Sequence, residues 1–260
     1  MSLAAAIVRV SYRALPPDDD GPCYTFDIDK TYLDTDFSSL GAALKIPLEL
    51  AIDKRPYPGV PILIRALQRG TERIGRDRPV FFLSASPKQL RGTLERRLVL
   101  DEIGLDGLTL KDWAVVLRRR GPRGLRDQLG YKLCALMQAR KELPKRTYDI
   151  LFGDDSEADP LIYSFYARVV SGECRSGALA EALRKQGVAR ADARELADLS
   201  ESLGTPSPVC RAFIHRVLGR DLPQSVTGYD TPLAPAQWLA SQGLISEESV
   251  AAIDRAFSRR

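Results

Sequence analysis

Two carboxylates at the end of an apolar run constrain this chain more than any other feature. In Tyr24-Thr25-Phe26-Asp27-Ile28-Asp29-Lys30-Thr31, an aromatic run stops at aspartates spaced i, i+2. Residues i and i+2 of an extended chain point to one side. Both carboxylates are therefore expected together at the carboxyl end of a strand, the edge where open α/β sheets place their ligands. Carboxylates held side by side repel unless a cation neutralises them or one keeps a proton. Hard oxygen donors of this kind suit Mg2+ first. A carboxylate can also attack phosphorus and carry the phosphoryl group. The same residues fit a surface turn or a helix N-cap, so the pair alone does not choose.

A second acidic run narrows the choice. Ile150-Leu151-Phe152 ends in Gly153-Asp154-Asp155-Ser156-Glu157-Ala158-Asp159. Gly153 is expected to let the backbone turn sharply, and Ser156 and Glu157 read as helix starters. Five aspartates from two strand ends are costly to cluster without a cation. Between the two runs lies Pro79-Val80-Phe81-Phe82-Leu83-Ser84-Ala85-Ser86-Pro87, a buried-looking strand ending in hydroxyls. Ser84 is expected to hold a phosphoryl oxygen, and Ser86 before Pro87 to cap a helix. Leu129, Leu133, Leu136 and Met137 mark the apolar stripe of a helix, with Lys132 beside it near the helix start. A lysine there is either solvated or turned toward the acidic strand ends.

The four pieces occur in the order Asp27-x-Asp29-x-Thr31, Ser84, Lys132, and Gly153-Asp154-Asp155-x-x-x-Asp159. Together they resemble the haloacid dehalogenase (HAD) superfamily of aspartate-nucleophile phosphatases, over about residues 20–172. Within it, the chain is most similar to the catalytic domain of the actin-patch phosphatidate phosphatase family. The carrying residues include Phe26–Thr31, Pro58-Gly59-Val60-Pro61, Leu83–Leu90, Gly130-Tyr131-Lys132 and Phe152–Tyr163. Lys30 and Asp155 depart from the commonest wording of that family, and Lys30 is expected to pair with a nearby carboxylate. The resemblance implies a Rossmann-like, mostly parallel sheet with helices on both faces. It implies Asp27 as nucleophile, Asp29 as general acid and then base, and Ser84 and Lys132 as phosphate holders. It implies Mg2+ on Asp27, the backbone carbonyl of Asp29, and Asp154, with Asp155 or Asp159 ligating directly or through water. Thr31 is expected to support the loop.

The chain has 260 residues, 44% of them hydrophobic and 28% charged, enough for one medium domain and an appendage. Four cysteines without C-x-x-C spacing and a single histidine, His215, disfavour a zinc site. The cysteines read as reduced, which points to a cytoplasmic protein. No signal peptide is expected, because Leu3–Val8 is short and interrupted by Arg9. No run reaches membrane-spanning length.

Residues 4–13 and 108–113 read as strands, and 60–74, 87–98 and 126–142 as helices. Arg168-Val169-Val170 reads as a final strand, and His215 as a structural residue on a helix with Phe213, Ile214, Val217 and Leu218. Residues 1–175 are expected to form the catalytic core and 176–260 a small helical extension. Residues 34–58 have room for a flap or short helix rather than a full cap. An open site of that kind admits large or surface-bound substrates.

The basic run Arg118-Arg119-Arg120-Gly121-Pro122-Arg123-Gly124-Leu125-Arg126 reads either as a solvated loop or as a patch for an anionic surface, lipid headgroups or a phosphate backbone. A net charge of only +4, with no aromatics among these arginines, disfavours specific nucleic-acid binding. The leading expectation is a Mg2+-dependent phosphomonoesterase acting on phosphatidate. The alternatives are a phosphatase of a soluble ester or nucleic-acid end, and a non-catalytic interaction protein that keeps the fold.

Overall fold

The computed structural model describes residues 2–34, 55–71, 78–204 and 210–258. Seven strands form one sheet: β1 (Ile7–Ser11), β2 (Pro22–Asp27), β3 (Val80–Pro87), β4 (Gly107–Lys111), β5 (Tyr148–Asp154), β6 (Cys210–His215) and β7 (Thr227–Tyr229). Their order is β1-β4-β3-β2-β5-β6-β7. Only β1 runs antiparallel, against β4, at the outer edge. Every other pairing is parallel. The carboxyl ends of β2, β3, β5 and β6 therefore share one edge, as the mostly parallel, Rossmann-like expectation required.

Helices cover both faces. On one lie α1 (Val60–Arg69), α2 (Arg91–Leu100), α8 (Leu233–Ser241) and α9 (Glu247–Ser258). They bury Leu63, Ile64, Leu94, Leu98, Leu239 and Ile253 against Phe26, Phe82, Phe152 and Phe213 of the sheet. On the other face lie α4 (Leu129–Glu142), α5 (Asp159–Val170), α6 (Ser176–Lys185) and α7 (Arg190–Glu201). Their Leu133, Met137, Ile162, Leu179 and Leu196 pack on Leu83, Leu151, Ala212 and Ile214. Alternate residues of one strand thus feed two cores, which is why these strands read as continuous apolar runs. A further helix, α3 (Trp113–Arg126), follows β4 and is capped by Asp112, which accepts from the N–H groups of Ala114 and Val115.

Register is set by a row of phenylalanines. Phe82, Phe26, Phe152 and Phe213 stand opposite one another on four adjacent strands. The Phe26 and Phe152 rings stack with centroids 4.1 Å apart, and Phe152 and Phe213 at 5.3 Å. Such pairs add about 1 kcal/mol each beyond the area they bury. A slip of one residue would turn this row to the wrong face. Asp27 follows the row directly and Asp154 comes two residues after it.

Three expectations fail here. The sheet does not stop at residue 175: β6 pairs with β5 from Asp149↔Cys210 to Asp154↔His215, and β7 extends it. Residues 176–260 are therefore not a purely helical extension. The apolar positions Phe213, Ile214, Val217 and Leu218 mimic a helical stripe, and a short buried strand cannot be told from a helix by periodicity alone. His215 accordingly ends a strand. Arg168-Val169-Val170 closes α5, where Val169 and Val170 are buried in the second core. Tertiary packing here outweighs their β-branched preference. The 34–58 stretch lies mostly outside the described residues.

The α6–α7 hairpin packs on α4 and is tied down by charge. Arg119 pairs with Asp192 and Arg120 with Asp127 and Asp192. Glu195 accepts from the N–H groups of Leu3 and Ala4. Two arginines of the basic run thus face acids of the protein itself rather than an outside surface. No helix among the described residues is long and apolar enough to cross a membrane. All four cysteines are free thiols.

Candidate active site

Asp27 closes β2 with 1% of its surface exposed. Lys132, in the first turn of α4, is fully buried. Its ammonium lies 2.7 Å from Asp27 Oδ1, 2.6 Å from Asp159 Oδ1 and 3.3 Å from Glu157 Oε2. Three carboxylates therefore share one ammonium. Asp154, at the end of β5, joins them electrostatically, and its Oδ1 accepts from the Ser156 N–H at 2.6 Å. One oxygen each of Asp27, Asp154 and Asp159 (Oδ2 in every case) is buried with no hydrogen-bond partner among the described residues. Buried oxygens of that kind are rare in folded proteins and call for an explanation.

The cluster's titration reflects its burial first and the repulsion among its carboxylates second. Burial pushes Asp27 well above the usual carboxylate range; Lys132 opposes that, while Asp159, Glu157 and Asp154 reinforce it. Burial raises Asp159 to about 7 and Asp154 to about 6. Burial alone would lower Lys132, but the pull of Asp159, Asp27 and Glu157 outweighs it and keeps the ammonium charged well above its ordinary range. Oxygen ligand atoms of Asp27, Glu157 and Asp159 all lie within 4.8 Å of one another. Hard anionic donors with unused lone pairs fit a hard divalent cation.

Asp29 occupies a different corner. It lies in the turn beyond β2, and its Oδ2 accepts from the hydroxyls of Ser84 and Ser86, both at 3.1 Å. The two aspartates of the opening motif thus use separate partners. Ser86 does not cap a helix; its hydroxyl, like that of Ser84, is spent on Asp29. The end of β3 is fixed by Tyr131, which donates to the Ser84 carbonyl at 3.1 Å, and by the Trp113 indole on the Ala85 carbonyl. The Thr31 hydroxyl is buried without a partner among the described residues. Lys30 pairs with Asp34 at 3.6 Å, as its position in the sequence led one to expect.

Asp155 departs from its expected part. Its Oδ1 accepts from the N–H groups of Val217 and Leu218, each at 2.7 Å, and its Oδ2 from Arg220 at 2.9 Å. Burial raises its pKa, but the backbone donors of Leu218, Arg220 and Val217 outweigh that and hold it below the ordinary value. Both oxygens accept from the backbone, so Asp155 anchors the loop after β6.

Gly153 also differs from expectation. It is a strand residue rather than a sharp turn, and what it supplies is space. A Cβ there would stand 2.6 Å from Asp159 Oδ2 and 2.8 Å from the Tyr163 ring. Glu157, which sequence reasoning took for a helix starter, reaches Lys132 instead; α5 begins two residues later. The signal for Glu157 was its place inside the acidic run, and for Ser86 its i, i+2 relation to Ser84 on a strand.

Residues 25–176 match the family described as "Phosphatidate phosphatase APP1, catalytic domain". The match spans more than half of the chain, and the chain belongs to that family. No curated protein and no solved structure matches the chain. Membership identifies a phosphatase of the phosphatidate phosphatase kind.

Proposed function

We propose that this member of the phosphatidate phosphatase family hydrolyses a phosphomonoester, phosphatidate first, through Asp27 as nucleophile with Mg2+ as its cofactor. The observation that carries this reading is the buried Oδ2 of Asp27, without a partner among the described residues, inside a carboxylate cluster that shares a single lysine. An oxygen stripped of donors is a stronger nucleophile than a hydrogen-bonded one, and it has a lone pair to offer.

Asp154 and Asp159 would hold the cation through their unused oxygens and Asp27 through the oxygen that does not attack, with Glu157 close enough to contribute. When bound, Mg2+ cancels the repulsion between these carboxylates and an incoming phosphate and screens charge in the transition state. Asp27 attacks phosphorus; the phosphorus–oxygen bond to the leaving group breaks, and Asp27 carries the phosphoryl group. Asp29 supplies a proton to the departing oxygen, which for phosphatidate leaves as diacylglycerol. It then takes a proton from the water that hydrolyses the aspartyl-phosphate. Ser84 and Ser86 orient Asp29 in the resting state, and Lys132 is placed to hold phosphoryl oxygens once substrate competes for it. Preorganised donors of this sort contribute about 3 kcal/mol each.

The test is phosphate release from phosphatidate in mixed micelles and from an aryl phosphate, with Mg2+ or with EDTA. Faster, Mg2+-dependent release from phosphatidate is expected. Equal or better hydrolysis of soluble esters would replace the lipid substrate, and release unaffected by EDTA would remove the metal.

A further inference from the structure

The family match ends at residue 176, yet a strand beyond it pairs with β5 and reaches the turn that follows Asp29. β6 places His215 directly beside Asp154 in register. The imidazole Nδ1 of His215 lies 3.0 Å from the carbonyl oxygen of Lys30. A carbonyl oxygen only accepts, so Nδ1 carries the proton. The ring is held in place on two sides: Tyr57 meets it edge-on at 4.8 Å and Tyr229 stacks on it at 5.4 Å. Its own backbone carbonyl accepts from the Asp155 N–H at 3.1 Å.

Lys30 needs such a partner. It sits between Asp29 and Thr31 with φ +60°, a left-handed conformation. For a residue with a Cβ this is strained and persists only where the surroundings fix it. The Lys30 N–H donates to the Leu33 carbonyl at 2.9 Å, and its carbonyl receives the His215 N–H. Both polar groups of the strained residue are thereby pinned. Lys30 follows Asp29 directly, so pinning the Lys30 backbone fixes the turn from which the Asp29 carboxylate reaches Ser84 and Ser86.

We propose that His215 is a positioning residue for the phosphatase reaction: it pins the Lys30 carbonyl and so fixes the aim of Asp29 at the leaving oxygen. This rests on the assignment of Asp29 as the proton donor. It makes β6, outside the family-matched segment, part of the working site.

Two variants separate this role from packing. His215→Phe keeps a ring between Tyr57 and Tyr229 but has no N–H. His215→Asn loses the ring but keeps an amide N–H that, like Nδ1, stands two bonds beyond Cβ. With an aryl phosphate as substrate, His215→Phe should fold, keep its KM and lose about thirtyfold in kcat, the size expected when a reacting group is misaimed by a fraction of an ångström. His215→Asn should recover most of that loss. Wild-type kcat in His215→Phe, or an equal loss in both variants, would overturn the proposal.

Because the chain contains one histidine, its 15N ring signals are unambiguous. In mildly alkaline buffer they should show the Nδ1-protonated tautomer, and the Nε2-protonated tautomer would overturn the contact itself. Should the wild-type chain release no phosphate, the reaction assignment falls, and the tautomer alone then decides whether His215 holds Lys30.

Discussion

At the end of β5 the chain sends adjacent aspartates into two different surroundings. Asp154 enters the cluster around Lys132, where Asp27, Asp154 and Asp159 each keep a buried oxygen without a donor among the described residues. Asp155 enters the loop after β6, where three backbone N–H groups converge on its two oxygens. Burial pushes the first up to about 6, and backbone donors hold the second below its ordinary value. A buried carboxylate saturated by the backbone holds structure. One left short of donors keeps lone pairs for a cation or a substrate. Donor count, rather than burial or residue type, separates the two regions.

The largest effect that would break this comparison is loss of the nucleophile. Asp27→Asn is nearly isosteric and removes a crowded negative charge, so the protein should stay folded while kcat falls by on the order of 10⁴-fold or more. Steady-state phosphate release with a thermal melt checks both halves. A folded variant with near-normal turnover would assign the cluster to structure.

Next comes Lys132→Met. With the shared ammonium gone, the carboxylates around it repel in a buried site. Stability at neutral pH should drop by about 3 kcal/mol, read by denaturant unfolding, and Mg2+ should restore part of it. An unchanged midpoint would mean that the cluster keeps its protons instead.

Asp155→Ala sharpens the contrast from the other side. It strips acceptors from three N–H groups and should cost about 2 kcal/mol, while kcat of the folded protein falls far less than in Asp27→Asn. The two regions should also respond oppositely to pH. The lowered Asp155 adds stability in full above the ordinary carboxylate range, and that contribution fades as pH falls through its own lower value. The raised Asp154 and Asp159 do the reverse. Their effect is favourable in acid and is lost as pH climbs to about 6 and about 7. Unfolding titrations in EDTA should show this second loss, and Mg2+ should flatten it.

The smallest effect concerns Glu157, the member of the cluster whose contact with Lys132 is longest, at 3.3 Å. Glu157→Gln should weaken Mg2+ binding by about tenfold, measured by calorimetry, with kcat at saturating Mg2+ little changed.

Much of this was legible in the sequence because strand ends announce themselves. The runs before Asp27, Ser84 and Asp154 are buried on both faces, so they stand out as apolar blocks that stop at polar residues. Lys132 was legible from its place beside the apolar stripe of a helix that lies between the serine strand and the second acidic run. What stayed hidden depended on contacts distant in sequence. Nothing local says that Asp155 meets the backbone of residues 217–220, or that Glu157 turns to Lys132 instead of capping α5. The strand ending at His215 hid behind spacing that also fits a helix. Gly153 was recognised as necessary for a wrong reason, because the space it leaves for Asp159 depends on a side chain six residues on.

The measurement that tests the central claim most directly is an acid quench of the enzyme during turnover of phosphatidate, followed by mass spectrometry of its peptides. One added phosphoryl group is expected on the peptide carrying Asp27, formed with Mg2+ and absent both in EDTA and in Asp27→Asn. Turnover that persists in Asp27→Asn, or a phosphoryl group found on another residue instead, would contradict that claim.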